Sequence, residues 1–108
     1  MDEAHYNRLV AVAFQGLLKA LDEVDPDLLD ADSTGDMVTV TSPSGQKVVV
    51  NTQRATRQIW VAGKGMGLHF SLEPDGRWMD DKGKGVELFA FVSDAVEALA
   101  GVRLDVGR

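Results

Sequence analysis

Apolar residues near the start of the chain recur at steps of three and four, the spacing of one face of an α-helix. The positions are Tyr6, Leu9, Val10, Ala13, Phe14, Leu17, Leu18 and Leu21. Pro26 disfavours helical geometry at the residue before it, so we expect this helix to end near Glu23. A second stripe predicts a closing helix that stops at Gly101, with Leu88, Phe89, Val92, Val96 and Leu99 on its apolar face.

Between the two helices the apolar period changes to two, which is typical of β-strands. Turn-forming runs of Ser, Pro, Gly and Asp separate the strand segments. We predict strands over residues 37–41, 47–51, 58–62, 68–72 and 77–80. The residues before the first strand are interpreted as a loop, and residues 51–57 as a polar connection.

The order of helix, antiparallel meander and helix predicts an α+β fold, a two-layer sandwich. In it the N- and C-terminal helices pack on one face of an antiparallel β-sheet of about five to six strands. Residues 1–108 are expected to form a single domain. The alternation turns Ile59 and Val61 towards the helices, and it turns Gln58, Trp60 and His69 to the uncovered face. Trp78 is assigned to the core.

Negative charge is concentrated in one segment of the chain. The 108 residues include 17 acids and 11 bases, for a net charge of -6. Seven of the acids lie between Asp22 and Asp36, and no Lys or Arg lies between Lys19 and Lys47. Such a field repels nucleic acid and attracts hard cations or a basic protein surface. One alternative is an acidic loop that is merely solvated.

The carboxylates offer only oxygen ligands, because the chain has no Cys. Oxygen ligands suit Mg²⁺, Ca²⁺, Mn²⁺ and iron rather than zinc. The spacing is not that of an EF-hand loop, so we expect weak binding rather than a closed cage. The candidate metal ligands are Asp22, Glu23, Asp25, Asp27, Asp30 and Asp32.

Trp60 is the candidate contact residue of the uncovered face. An exposed Trp often marks a contact hot spot, although a misassigned core residue remains the alternative. His69 is expected on the same surface. Two isolated His residues do not make a metal site, and the glycines at 63, 65 and 67 lack the context of a phosphate loop. We find no convincing catalytic arrangement, so we do not expect an enzyme.

Several motifs together resemble the frataxin family, in its bacterial CyaY branch. The specific part is Asn51-Thr52-Gln53 followed by Gln58-Ile59-Trp60, an Asn-x-Gln and then a Gln-x-Trp. The acidic end of the first helix, residues 68–72 and Gly76-Arg77-Trp78 extend the match over nearly the whole chain.

The resemblance implies weak binding of iron, as Fe²⁺ or Fe³⁺, and a role in iron–sulfur cluster assembly. It implies that a cysteine desulfurase contacts the acids Asp22, Glu23 and Asp25. It also implies that the uncovered sheet face contacts the assembly machinery, including its scaffold protein, through Asn51, Gln53, Gln58, Trp60 and His69. Pro26, the pair Leu28-Leu29 and Lys19 depart from the family pattern, and we expect these departures to weaken iron binding. The short tail, residues 102–108, is expected to cover little of the groove between the helices.

We consider three classes of function. The first is an iron donor or an iron-dependent regulator of the desulfurase. The second is an acidic interaction module that docks a basic enzyme and binds metal only incidentally. The third, a ferroxidase, needs an enclosed di-iron site that this chain lacks. We expect a monomer. Oligomers that form on binding iron are the alternative to the monomer. The acidic opening residues favour a cytoplasmic protein, or a domain already stripped of a targeting segment. No membrane contact is expected, because no apolar run reaches about 20 residues.

Overall fold

Two helices pack on one face of a six-stranded sheet in a computed structural model that describes residues 2–106. The strands follow one another in chain order, and every neighbouring pair is antiparallel. The elements are α1 Glu3–Asp22, β1 Asp30–Thr34, β2 Met37–Thr41, β3 Lys47–Gln53, β4 Gln58–Gly63, β5 Met66–Leu72, β6 Trp78–Asp80 and α2 Leu88–Ala100, with a 3₁₀ turn at Arg54–Thr56. The predicted α+β sandwich is confirmed.

Capping residues mark both ends of each helix. The Asp2 carboxylate accepts the backbone N–H of His5 at 2.7 Å and caps α1, and this bond lowers the pKa of Asp2. Glu23 is the C-terminal cap of α1, as predicted. At α2 the Glu87 carboxylate accepts two backbone N–H groups, and Gly101 at φ 72° ends the helix.

The core lies between the helices and the inner face of the sheet. Tyr6, Phe70 and Val92 are fully buried there, and Trp78 is buried as predicted. The Tyr6 hydroxyl donates to the backbone oxygen of Gln58 at 2.6 Å, which satisfies the polar atom of a core side chain. The predicted core stripe of α2 needs one correction. Phe91, Ser93 and Ala95 are buried on that helix, whereas Phe89 and Leu99 are only partly buried.

Strand β1 was not predicted, because its sequence has no apolar alternation. All five of its residues are exposed, and backbone pairing to β2 holds it in the sheet. The prediction of a loop at residues 30–34 was therefore wrong. The connection predicted over residues 51–57 is also shorter, since β3 continues to Gln53 before the 3₁₀ turn.

The C-terminal tail covers more of the helices than expected. Leu104 and Val106 are buried in the core cluster. The Ser93 hydroxyl donates to the backbone oxygen of Leu104 at 3.2 Å, and the Arg103 guanidinium pairs with carboxylates of α2, Asp94 and Glu97. The expectation of little cover was wrong for residues 102–106, and residues 107–108 lie outside the described part.

Strand β4 approaches α2 closely at its last residue. A Cβ atom at Gly63 would lie 2.9 Å from the Cβ of Ala95, closer than side-chain atoms normally approach. Gly63 is buried, and the same Cβ atom would also lie 3.4 Å from a methyl group of Val48. A residue without a side chain therefore allows the sheet and the helix to meet at this point.

A buried carboxylate organises the turn between β6 and α2. Asp80 accepts the backbone N–H groups of Lys82, Lys84 and Val86 at 3.2, 3.0 and 2.8 Å. These bonds favour the charged form and lower the pKa of Asp80. The folded protein therefore gains stability from this carboxylate at neutral pH.

We predict that Asp80→Asn lowers the melting temperature by several degrees at about pH 7, because the amide has one acceptor oxygen and adds N–H groups that face the donors of the turn. The folded pKa lies below the ordinary value of about 3.9, so the stabilisation is present above that pH and is lost as the pH falls through the folded pKa. Thermal unfolding at about pH 7 and about pH 2 tests this sign.

The difference between Asp80→Asn and the unchanged protein should shrink at the lower pH. Glu73→Gln, a neutralisation at an exposed site, serves as the matched control. An equal difference at both pH values would show that the charge of Asp80 does not hold the turn.

Candidate functional site

Six predicted ligands form what we call the acidic ridge, which follows the chain from the end of α1 into β1. They are Asp22, Glu23, Asp25, Asp27, Asp30 and Asp32, and all are exposed. Asp22 is the last residue of α1 and Glu23 its cap. Both add negative charge where the carbonyl end of the helix is already negative. Their position therefore disfavours helix stability and favours a cation or a basic surface nearby.

The middle of the ridge is a loop shaped by one of its own acids. The Asp25 carboxylate accepts the backbone N–H of Asp27 at 2.9 Å, and the Asp25 backbone oxygen accepts the N–H of Leu28. This Asx turn follows from the preference of Asp for bonds to the backbone two residues on. Leu29 then packs into the core and anchors the loop. One oxygen of Asp25 therefore already has a hydrogen-bond partner.

The last two acids of the ridge lie on the edge strand. Asp30 pairs with Thr41 and Asp32 with Thr39. The buried valines of β2 pair instead with Ala31 and Ser33. Because paired residues share a face, both carboxylates lie on the uncovered side of the sheet. The start of β1 and the end of α1 also line one open cleft, to which Lys19, Asp22 and Asp30 contribute.

The ridge does not converge on a ready-made metal cage. Among residues 2–106 no group of three or more His, Asp or Glu side chains is close enough to hold a metal ion. Separate, exposed carboxylates can bind a hydrated cation through one or two oxygens and water, which gives weak binding. The geometry therefore suits a loosely held hard cation or a basic protein surface.

One further acid of the charged segment is neutralised from elsewhere in the chain. Asp36 forms an ion pair with Arg54 at 2.7 Å, and the same guanidinium donates to the amide oxygen of Asn7 at 2.7 Å. The sequence distance between these three residues hid the pairing. Asp36 was not among the predicted ligands. Because Arg54 compensates its charge, the acidic ridge ends before Asp36.

The uncovered side of the sheet, which we call the open face, carries the predicted contact residues in adjacent rows. One row runs from Asn51 through Trp60 to His69, and the next runs from Gln53 through Gln58 to Ser71. The structure thus brings all five predicted contact residues together. Asn51 and Gln53 are strand residues rather than parts of a connection.

Trp60 is less exposed than the sequence indicated, because it is partly buried by its neighbours. Its ring stacks on the His69 ring with centroids 4.0 Å apart and planes 11° apart. Its indole N–H donates to the Gln58 side-chain oxygen at 2.9 Å. The indole is therefore held in one orientation on the open face, with part of its surface free for contact.

Asp81 also belongs to this cluster, although it was not among the predicted contact residues. Its carboxylate accepts from the Gln58 side-chain nitrogen at 3.0 Å and lies 3.7 Å from Nδ1 of His69. Strand β6 pairs with β5 so that Asp80 is opposite Phe70, which brings Asp81 beside His69. The register of that hairpin is a property of the folded chain, so no local sequence signal marked Asp81.

The other histidine has a local role. The exposed His5 ring lies 3.0 Å from the Arg8 guanidinium, in the first turns of α1 and away from the open face.

No helix among residues 2–106 is long and apolar enough to cross a membrane.

A family profile described as a frataxin-like domain matches residues 1–102. A protein of Tolumonas auensis, named iron-sulfur cluster assembly protein CyaY, is 35% identical over 107 residues, covering 99% of this chain and 100% of the relative. A protein of Paracidovorax citrulli with the same name is 40% identical over 91 residues, covering 84% of this chain and 81% of the relative.

The fold has a close counterpart among solved structures. A frataxin from Psychromonas ingrahamii matches with a TM-score of 0.88 at 24% identity, and the match covers 100% of both chains. At that identity the likeness supports the fold alone. With the family profile over residues 1–102 and two relatives above 30% identity, this chain belongs to the frataxin-like family.

Proposed function

We propose that this protein acts in iron–sulfur cluster assembly, as a weak iron carrier that donates iron to the machinery or regulates the cysteine desulfurase according to iron supply. The observation that carries the proposal is the acidic ridge, six exposed carboxylates without an intervening base. Membership of the frataxin-like family, with relatives named iron-sulfur cluster assembly proteins, supports it. The proposed role is non-enzymatic and cytoplasmic.

The mechanism is electrostatic. Carboxylate oxygens at the end of α1 and on β1 hold hydrated ferrous iron weakly, and each bound ion lowers the negative charge of the ridge. The same ridge steers the protein onto a basic surface of the desulfurase, because opposite charges accelerate and orient the encounter. Iron occupancy thereby changes the attraction that the partner experiences.

The open face supplies the second contact. Asn51, Gln53, Gln58 and His69 surround a partly buried Trp60, a combination of polar and aromatic groups typical of protein interfaces. We propose that the iron–sulfur scaffold protein contacts this face. Because Asp30 and Asp32 border it, the charged and the aromatic contacts lie on one continuous surface.

A second candidate function is an acidic interaction module whose metal binding is incidental. The absence of any cluster of three metal-ligating side chains among residues 2–106 favours it. The two functions differ in their need for iron. A desulfurase assay with and without this protein, and with and without ferrous iron, separates them, since only the first predicts an effect that depends on iron.

For metal binding, we predict that ferrous iron, or Mn²⁺ as a surrogate, perturbs backbone NMR signals mainly from residues 19–36. The affinity should be on the order of micromolar or weaker, because the carboxylates do not converge. The pair Asp94 and Glu97 is an internal control, since Arg103 already compensates those acids. Perturbations centred on α2 or on His69 would rule out the ridge as the metal site.

For partner binding, we predict that a triple charge reversal at the start of the ridge abolishes binding to the desulfurase. The substitutions are Asp22→Lys, Glu23→Lys and Asp25→Lys. Binding by the unchanged protein should also weaken as salt rises, because exposed charges are screened over about 8 Å at physiological ionic strength. Calorimetric titration at low and high salt measures both effects.

A matched triple reversal controls for net charge. It changes Glu3, Glu73 and Asp105 to Lys, three exposed acids that are not part of the ridge. We expect this control to retain most of its affinity, because docking depends on where the charge lies. If both triples lose binding equally, net charge and not the ridge determines the interaction.

For the open face, we predict that Trp60→Ala weakens binding to the scaffold protein while the protein stays folded. The stability cost should be below the roughly 3–5 kcal/mol of a fully buried aromatic truncation, because the indole is partly exposed. Metal binding at the ridge should be unchanged. Thermal unfolding and scaffold titration give the two measurements, and full binding by the variant would remove Trp60 from the interface.

A further inference from the structure

The indole of Trp60 is the end of a chain of directed hydrogen bonds. Its N–H donates to the side-chain oxygen of Gln58 at 2.9 Å. The side-chain nitrogen of Gln58 donates in turn to the Asp81 carboxylate at 3.0 Å and to the Ser71 hydroxyl at 3.1 Å. The side-chain oxygen of Gln58 and both N–H groups of its side-chain nitrogen therefore have a hydrogen-bond partner.

The chemistry of the two ends determines the direction of this chain. An indole N–H can only donate, and an ionised carboxylate can only accept. The Gln58 amide between them satisfies both ends in one orientation alone, with its oxygen towards Trp60 and its nitrogen towards Asp81. A flipped amide would leave the indole facing a donor and the carboxylate facing an acceptor. Asp81 thus stabilises the amide orientation that holds Trp60.

Asp81 also supports the other contact of the indole. His69 stacks on the Trp60 ring at 4.0 Å, and its Nδ1 lies 3.7 Å from the Asp81 carboxylate. The same carboxylate therefore lies beside the hydrogen-bond partner of the indole and beside its stacking partner.

The backbone places Asp81 firmly. Its N–H donates to the backbone oxygen of His69 at 2.9 Å, which continues the pairing of β6 with β5. The preceding residue, Asp80, is buried and holds the following turn through three backbone N–H groups. A side chain attached to so constrained a backbone can act as a fixed support for a contact surface.

We propose that Asp81 is a positioning residue of the open face, which fixes the orientation of Trp60 through Gln58 and His69 before any partner binds. An indole that is already held in one orientation loses less conformational entropy on binding, so the partner binds it more tightly than it would bind a mobile indole. Asp81 need not touch the partner itself. The contribution to partner binding rests on the function proposed above, whereas the orientation of the indole does not.

The first test uses the isolated protein and the indole N–H signals of its two tryptophans in ¹⁵N-labelled samples. Asp81→Ala should shift the Trp60 indole signal and speed its hydrogen exchange by about threefold to tenfold, the change that corresponds to one lost hydrogen bond. The buried Trp78 indole should keep its signal and so report an intact fold.

Two further variants separate positioning from a general structural effect. Asp81→Asn retains an acceptor oxygen without the charge, so the Trp60 signal should stay close to that of the unchanged protein. Glu73→Ala removes an exposed acid from the turn after β5 and should leave both indole signals in place. A Trp60 signal that Asp81→Ala does not move would overturn the proposal.

The second test measures binding to the iron–sulfur scaffold protein by calorimetric titration. Asp81→Ala should weaken binding by about threefold to tenfold, and by less than Trp60→Ala does. If Trp60→Ala binds normally, the proposed role of the open face fails while the indole measurement still stands. If Trp60→Ala loses binding but Asp81→Ala loses none, positioning by Asp81 is refuted as a contribution to binding.

Discussion

Burial of one side of the sheet beneath α1 and α2 is the interaction on which the other features depend. The two helices cover one face of strands β2 to β6, so the alternation along each of these strands divides its residues between a buried side and a solvent-facing side. Four valines of β2 and β3 point to the helices and are almost completely buried, at 0–1% exposure: Val38, Val40, Val48 and Val50. Thr39 and Val49, which lie between them along the strands, are only partly buried. The polar open face is thus a direct consequence of one-sided packing.

The two candidate surfaces are joined through the edge strand. Strand β1 contributes no side chain to the core, yet its register brings Asp30 and Asp32 to the border of the open face. The ridge therefore turns from the end of a helix onto the sheet that also carries Trp60. A partner that lies flat on the open face meets an aromatic centre and a negatively charged border. Attraction over distance and contact at short range come from neighbouring parts of one surface.

The sequence predicted best those elements that bury apolar side chains in a regular period. Helix α1 and the inward Ile59 and Phe70 follow from that rule, because burial is what the pattern records. Strand β1 was missed since backbone bonds alone hold it, and these leave no trace in the side chains. The cover provided by Leu104 was missed because three apolar residues in a short tail carry too little pattern.

The candidate site divides in the same way. The acids of the ridge and the outward position of Trp60 could be predicted, because charge and alternation are visible along the chain. The partial burial of the indole depends on a ring from another strand, His69, and on the register of β6 that brings in Asp81. The ion pair of Asp36 with Arg54 likewise needs the folded chain. Contacts between strands are determined by register, which no local window contains.

The contact between Gly63 and α2 has a consequence for how this protein can vary. A side chain at Gly63 would wedge the strand away from Ala95, and a larger residue at position 95 would press against the backbone at position 63. The two positions are therefore coupled, so a change at either is tolerated only with a compensating shift of the helix. Positions 63 and 95 must therefore both stay small as the sequence changes, although neither residue takes part in the ridge or the open face.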